Sequence, residues 1–121
     1  MTSRSKQIGR AGEYHVASVL ELAGIEATKL DGTFDLLAVT PHGTIISIEV
    51  KTATKTAYAD LWRFGRGAGY AQWFALYCMP LGVVRFYRAD DIRHTKVMFN
   101  VRSAEFNDAD AADDLATLLA L

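Results

Sequence analysis

Apolar positions recur at helical spacing along the first part of the chain. From about Ser5 to Ala23 their spacing is that of one face of a helix, which predicts an amphipathic helix. These positions are Ile8, Ala11, Val16, Val19, Leu20 and Ala23. Gly24 follows them, and glycine is a typical residue just beyond a helix C-terminus. The pattern therefore predicts one long helix before any strand.

Short β-branched and apolar runs follow this helix and predict strands. They occupy residues 25–30, 34–40 and 44–51. The second and third runs are separated only by Pro41-His42-Gly43. Two such runs joined by three residues that end in glycine predict a β-hairpin, with Gly43 in the left-handed conformation.

The second half of the chain is more continuously apolar. The runs at 72–79 and 83–88 predict central strands, since strands covered on both faces lose the apolar and polar alternation. Residues 96–101 predict an edge strand, and Asp108 is a candidate cap for a final helix. That helix would dock through Leu115, Leu118 and Leu119.

The hairpin brings three charged residues together. If Thr40 pairs with Thr44, the register sets Asp35 directly opposite Glu49, with Cβ atoms roughly 4.5–5.5 Å apart. Strand alternation places Lys51 on the same face as Glu49. Two carboxylates at that distance repel each other unless something positive lies between them. A divalent cation is the candidate that this pattern favours.

Composition and charge permit a nucleic-acid partner. The 121 residues have a formal net charge of -1, but all thirteen Lys and Arg lie at or before Arg102. Five of the fourteen acidic residues follow it, so the preceding part is basic overall, which permits phosphate binding. The chain has no apolar run of about 18 residues and no signal-peptide pattern, so we expect a cytoplasmic protein without a membrane partner. A single cysteine excludes an intrachain disulfide.

Two basic clusters are candidates for contact with nucleic acid. The first half of the predicted helix carries Arg4, Lys6 and Arg10, against the preference of the helix dipole. In segment 52–69, where residues 58–64 fit either a strand or a helical turn, cations are interleaved with the aromatic residues Tyr58, Trp62 and Phe64. These cations are Lys55, Arg63 and Arg66. Such a mixture is typical of surfaces that follow a phosphate backbone, although Trp62 and Phe64 also fit a core position.

The order of these elements and acids resembles the PD-(D/E)XK nuclease superfamily. Within it, the chain is most similar to the small archaeal-type and phage Holliday junction resolvases. The resemblance rests on Gly12-Glu13, Asp35 and Glu49-Val50-Lys51, with Phe34 in place of the family's proline. It implies an α/β fold over residues 1–121 as one domain, with a restriction-endonuclease-like mixed β-sheet of about five strands flanked by helices.

The resemblance also implies site residues and an activity. Asp35, Glu49 and the carbonyl of Val50 would bind Mg²⁺, for which Mn²⁺ can substitute. Glu13 would match the helical acid that reaches the metal site, often through water, and Lys51 would position or activate the attacking water. The implied function is metal-dependent hydrolysis of DNA by a homodimer, with branched four-way junctions as the first expected substrate.

Two other functions stay open. One is a restriction-like or homing endonuclease that cuts duplex DNA, and the other is a DNA-binding module that keeps the fold without catalysis. The charged strand end also has a purely structural interpretation, because edge strands use charges to prevent aggregation. That interpretation explains Glu49 and Lys51, but it does not explain an Asp35 placed opposite them.

Overall fold

The computed structural model describes residues 3–32, 34–65, 70–92 and 98–121, with the side chains of residues 98 and 99 left out. Its helices are α1 (Arg4–Leu22), α2 (Ala89–Ile92) and α3 (Asp108–Leu119). Its strands are β1 (Glu26–Lys29), β2 (Leu36–Val39), β3 (Ile45–Ala53), β4 (Leu61–Gly65), β5 (Trp73–Cys78), β6 (Val83–Arg88) and β7 (Met98–Arg102). These bounds lie close to those that the hydrophobic pattern predicts.

Five strands form a mixed sheet in the order β1-β2-β3-β5-β6. The β3 and β5 strands run parallel, and the other neighbouring pairs run antiparallel. All six residues of β5 are buried, as its continuous apolarity predicts for a central strand. The predicted fold class, a mixed five-stranded sheet flanked by helices, is confirmed.

The β2–β3 hairpin has the predicted register. Leu36 pairs with Ile48, and Val39 pairs with Ile45. The amide of Thr40 donates to the carbonyl of Thr44 at 2.9 Å. Gly43 closes the turn at φ +85°, a backbone conformation that glycine adopts without the penalty of a Cβ atom.

Both long helices pack on one face of this sheet. Val16 and Leu20 of α1 lie in one apolar cluster with Ile48 of β3 and Leu118 of α3. The cap of α3 is Asn107, whose side chain accepts from the amide of Asp110, so the prediction of Asp108 as the cap is wrong by one residue. None of the described helices has the length and apolar character that a membrane crossing requires.

The opposite face of the sheet is covered by a second, two-stranded sheet. β4 and β7 pair antiparallel with each other, so β7 is not an edge strand of the five-stranded sheet. Trp62 and Phe64 of β4 are buried in a cluster with Phe74 and Leu76 of β5. The core interpretation of the two β4 aromatics is therefore confirmed.

Candidate active site

The N-terminal half of α1 lies very close to the end of β3. Gly12 is buried, and a Cβ atom added to it would lie 1.9 Å from Oγ1 of Thr52. No side chain larger than hydrogen fits there unless Thr52 moves. Gly12 therefore permits the close approach that carries the next residue, Glu13, to the end of the sheet.

Glu13 and Asp35 meet in this position. Burial raises the pKa of the Glu13 carboxyl, and the neighbouring Asp35 raises it further through its charge and a side-chain hydrogen bond. Nζ of Lys29 lies 3.9 Å from Oε1 of Glu13 and acts in the opposite direction on this pKa. Two acids in contact favour a proton or a cation between them.

The prediction that Asp35 pairs directly opposite Glu49 is wrong, because the paired residues of β2 and β3 begin at Leu36 with Ile48. The amide of Asp35 donates to the carbonyl of Ile48 at 3.0 Å, and its Oδ2 accepts from the amide of Val50 at 2.8 Å. In a regular ladder, the backbone of residue 34 would accept the Val50 amide. The Asp35 carboxylate takes that place, so it is fixed at the edge of β3 that faces β2. Alternation along β3 directs the Val50 carbonyl to the same edge.

Glu49 and Lys51 lie on the other face of β3. Strand alternation puts Glu49 and Lys51 on the same face, as the sequence predicts. Ala53 shares this face and belongs to the core beneath β4 and β7. The Glu49 side chain is buried, and its Oε2 lies 3.6 Å from Nζ of Lys51. The structure thus brings Glu13 to Asp35 and Glu49 to Lys51, as two pairs at one end of β3.

An open cleft of about 470 Å³ surrounds the first pair. It is lined by Lys6, Gly9, Arg10, Glu13, Lys29, Leu30, Asp31, Gly32 and Asp35. The side chains of Lys6, Arg10 and Glu13 share one face of α1, because they are spaced by four and three residues. Positive charge therefore stands beside the acidic pair, where a phosphate would need it.

Lys29 is a residue of this cleft that the sequence analysis missed. It pairs with Leu36 across β1 and β2, next to Asp35. Its Nζ also lies 3.5 Å from Oδ1 of Asp31. The sequence could have indicated Lys29. The strand predicted before β2 pairs antiparallel with it, so the last residues of that strand lie beside the first residues of β2, next to Asp35.

The remaining predicted contacts with nucleic acid lie outside the cleft. Arg4 is exposed in the first turn of α1, and Lys55 is exposed in the loop after β3. Arg63 is exposed on β4, where its Nε donates to Oδ1 of Asn100 at 3.3 Å. Arg66 lies outside the described residues. Lys6 and Arg10 are thus the predicted cations that lie beside the acidic pair.

The donor set of this end of β3 fits a hard divalent cation. Carboxylate and carbonyl oxygens are the ligands that Mg²⁺ prefers. The contact between Glu13 and Asp35 would be relieved by a bound cation, and the Val50 carbonyl lies on the edge of β3 that binds Asp35. Within the described ranges, no three Asp, Glu, His or Cys side chains lie close enough together to hold a metal ion. Glu49, the third acid, is held by Lys51.

Comparison with known proteins identifies the fold. No family model and no curated protein matches the chain. A bacterial homing endonuclease has a similar structure over 100% of both chains, with a TM-score of 0.74 and 14% identity. A Holliday junction resolvase from the archaeal hyperthermophile Archaeoglobus fulgidus matches 81% of this chain and 86% of its own, with a TM-score of 0.57 and 22% identity. The chain has a restriction-endonuclease-like fold, as the sequence predicted.

Proposed function

We propose that this protein is a metal-dependent DNA endonuclease. The observation that carries the proposal is the Glu13 and Asp35 pair, which lies in an open cleft beside Lys6 and Arg10. Like charges in contact cost folding free energy, and groups with a perturbed pKa in a cleft concentrate at functional sites. A metal cation bound to the two carboxylates and a phosphate bound to Lys6 and Arg10 would together offset that cost.

The metal would be Mg²⁺, with Mn²⁺ as a substitute, held by Asp35, Glu49 and the Val50 carbonyl. Glu13 would contribute directly or through water. When bound, such an ion lowers the pKa of a water molecule and neutralises phosphate oxygens. Among the residues of the chain, Lys51 would stabilise charge on the scissile phosphate or accept a proton from the attacking water.

The substrate that we propose first is a DNA four-way junction, cut by a homodimer. A small subunit with one centre cuts two strands symmetrically when two copies are related by a two-fold axis. The alternative is cleavage of duplex DNA, as by a restriction or homing endonuclease. Similarity to the homing endonuclease over the whole of both chains favours this alternative.

Cleavage of defined substrates tests these proposals. The purified chain is incubated with a labelled four-way junction, a matched duplex and a single strand, each with and without Mg²⁺ or Mn²⁺. Paired symmetric nicks on the junction alone would support a resolvase, and cutting of the plain duplex would support the alternative. Failure to cut any of them with either metal would remove the endonuclease assignment.

Two variants connect the activity to the site. We expect Asp35→Asn and Lys51→Ala each to abolish cleavage while folding and DNA binding persist, because each removes a charge that the chemistry needs. Asp113→Asn is the matched control, since Asp113 is exposed on α3. Full activity of either site variant would contradict the assigned roles.

Metal binding separates an enzyme from a catalytically silent module. A metal at 100 times its Kd stabilises the folded state by about 2.7 kcal/mol, which raises the melting temperature. We expect Mg²⁺ or Mn²⁺ to stabilise the parent chain and to stabilise Asp35→Asn much less. Absence of stabilisation in the parent would favour the silent DNA-binding module.

A further inference from the structure

The two-stranded sheet of β4 and β7 has two faces of opposite character. Its inner face packs Trp62, Phe64 and Val101 into the core. Its outer face presents Arg63 of β4 and the side chains of Asn100 and Arg102 of β7. The register is Arg63 with Asn100 and Leu61 with Arg102, and Arg63, Asn100 and Arg102 are all exposed.

Arg63 and Asn100 form a cross-strand pair on this outer face. Nε of Arg63 donates to Oδ1 of Asn100 at 3.3 Å. Within the described part of the chain, neither the terminal nitrogens of Arg63 nor the amide nitrogen of Asn100 has another partner. Among the described residues, a Cβ atom added to Gly65 on the same face would contact nothing within 4 Å. No described side chain covers this face, and it is rich in hydrogen-bond donors.

The two-stranded sheet of β4 and β7, or ribbon, is anchored at the end that carries Leu61 and Arg102. Nε1 of Trp62 donates to Oγ of Ser103 at 2.7 Å, and the amide of Ser103 donates to the carbonyl of Asp60 at 2.8 Å. Trp62 also shares a core cluster with Ala53, the last residue of β3. The ribbon thus lies on the Glu49 and Lys51 face of β3, and its outer side chains are held on a packed support.

We propose that the outer face of this ribbon enters the major groove of duplex DNA and reads base edges through Arg63 and Asn100. A two-stranded ribbon fits that groove, which is about 12 Å wide. The Arg fork suits guanine, and the Asn amide suits adenine. Arg102 and the exposed Lys55 supply positive charge for neighbouring phosphates. The inference rests on the proposed action on DNA, and it selects a duplex segment as the recognised element.

Selection from a duplex pool tests this reading. The parent chain and its variants are mixed with random-sequence duplexes at fixed salt, and bound duplexes are sequenced. We expect the parent to enrich a defined set of base pairs. Arg63→Lys should keep overall affinity, because the charge remains, but should lose preference at one or two adjacent base pairs by about 10-fold to 100-fold. Asn100→Ala should relax preference at a neighbouring position.

Phosphate contacts have a different signature. Arg102→Ala should weaken binding to all sequences and reduce the dependence of affinity on salt, because one counterion fewer is released. Arg88→Ala is the matched control, since Arg88 is an exposed arginine of β6 whose guanidinium lies 5.0 Å from the Trp73 ring. We expect it to leave both preference and salt dependence unchanged. Melting temperatures measured in parallel show that each variant is folded.

Three results would overturn the ribbon proposal. In the first, the parent chain enriches no sequence. In the second, the variants keep the parent's full sequence preference. In the third, Arg63→Lys lowers the affinity equally for all sequences. The endonuclease proposal fails separately, by an absence of cleavage with either metal. If the parent chain selects sequences through Arg63 and Asn100 but never cuts DNA, the ribbon proposal stands and the endonuclease proposal is wrong.

Discussion

Two clusters of charged residues in this protein have similar exposure and opposite arrangements. One joins β6 to α3, where Nε of Arg85 donates to Oδ2 of Asp114 at 2.6 Å. The same oxygen accepts from the amide of Phe86 at 2.9 Å. The other is the cleft beside α1, where Glu13 contacts Asp35. The Arg85, Asp114 and Glu13 side chains are 12%, 14% and 18% exposed.

The difference lies in how charge is balanced. Between β6 and α3, a cation and a backbone amide surround one carboxylate, so removal of water from these groups is offset. In the cleft two acids are in contact, and the nearby Lys29 reaches Glu13 only at 3.9 Å. The first arrangement stabilises the fold. The second lowers the stability of the fold. Such a cost is common at binding sites, where a ligand of opposite charge balances the side chains.

The largest stability effect is expected between β6 and α3. Asp114→Ala leaves part-buried Arg85 with only the more distant carboxylate of Asp110, at 3.9 Å, and removes the acceptor of the Phe86 amide. Loss of one partner from a buried pair costs about 3 kcal/mol. Denaturant unfolding measures this loss, with exposed Asp113→Ala as a control expected to change stability by less than about 0.5 kcal/mol. Equal effects of the two variants would show that the Arg85 pair does not stabilise the fold.

The contact of α1 with β3 should be the next most sensitive. Gly12→Ala forces a Cβ atom against Oγ1 of Thr52, and such overpacking costs about 1–3 kcal/mol. Gly9→Ala is the matched control on the same helix. It meets nothing within 4 Å and should stabilise by up to about 1 kcal/mol.

Adding Thr52→Ala to Gly12→Ala tests the cause of this effect. The double variant removes the clashing hydroxyl, so it should recover part of the stability that Gly12→Ala loses. Unfolding free energies of the parent, both single variants and the double variant complete the cycle. No recovery in the double variant would show that Thr52 is not what excludes a side chain at position 12.

The smallest effect concerns pH. Because the pKa of Glu13 is raised above its ordinary value of 4.5, the folded protein holds this proton more strongly than the unfolded chain. Stability contributed by Glu13 therefore falls as pH rises from about 4.5 through the raised pKa. We expect Glu13→Gln to raise the melting temperature at pH 7 and to change it little near pH 4.

The matched comparison for this prediction is Glu21→Gln. Glu21 is an exposed α1 residue whose Oε1 accepts from the amide of Ala27 at 2.8 Å. Its substitution removes one negative charge from the same helix away from Asp35. Melting curves of Glu13→Gln that are as stabilised at pH 4 as at pH 7 would contradict a destabilising contact with Asp35.

Much of the fold follows from short-range patterns in the sequence. Helical spacing before Gly24 predicts α1 to within a few residues, and the Pro41-His42-Gly43 turn predicts the register of β2 against β3. Both depend on hydrogen bonds between residues close in sequence, which local conformational preferences determine. The same register correctly places Lys51 beside Glu49, because strand alternation is a property of the backbone.

Only the tertiary structure decided how these parts combine into a site. Periodicity leaves Glu13 free to face solvent, and its contact with Asp35 depends on the close packing of Gly12 on Thr52. The position of Asp35 depends on the point where the ladder stops and Val50 offers its amide. The pairing of β4 with β7 joins residues about forty positions apart, which alternation alone does not specify. The sequence determined which chemical groups are present at the hairpin, and long-range packing decided which of them touch.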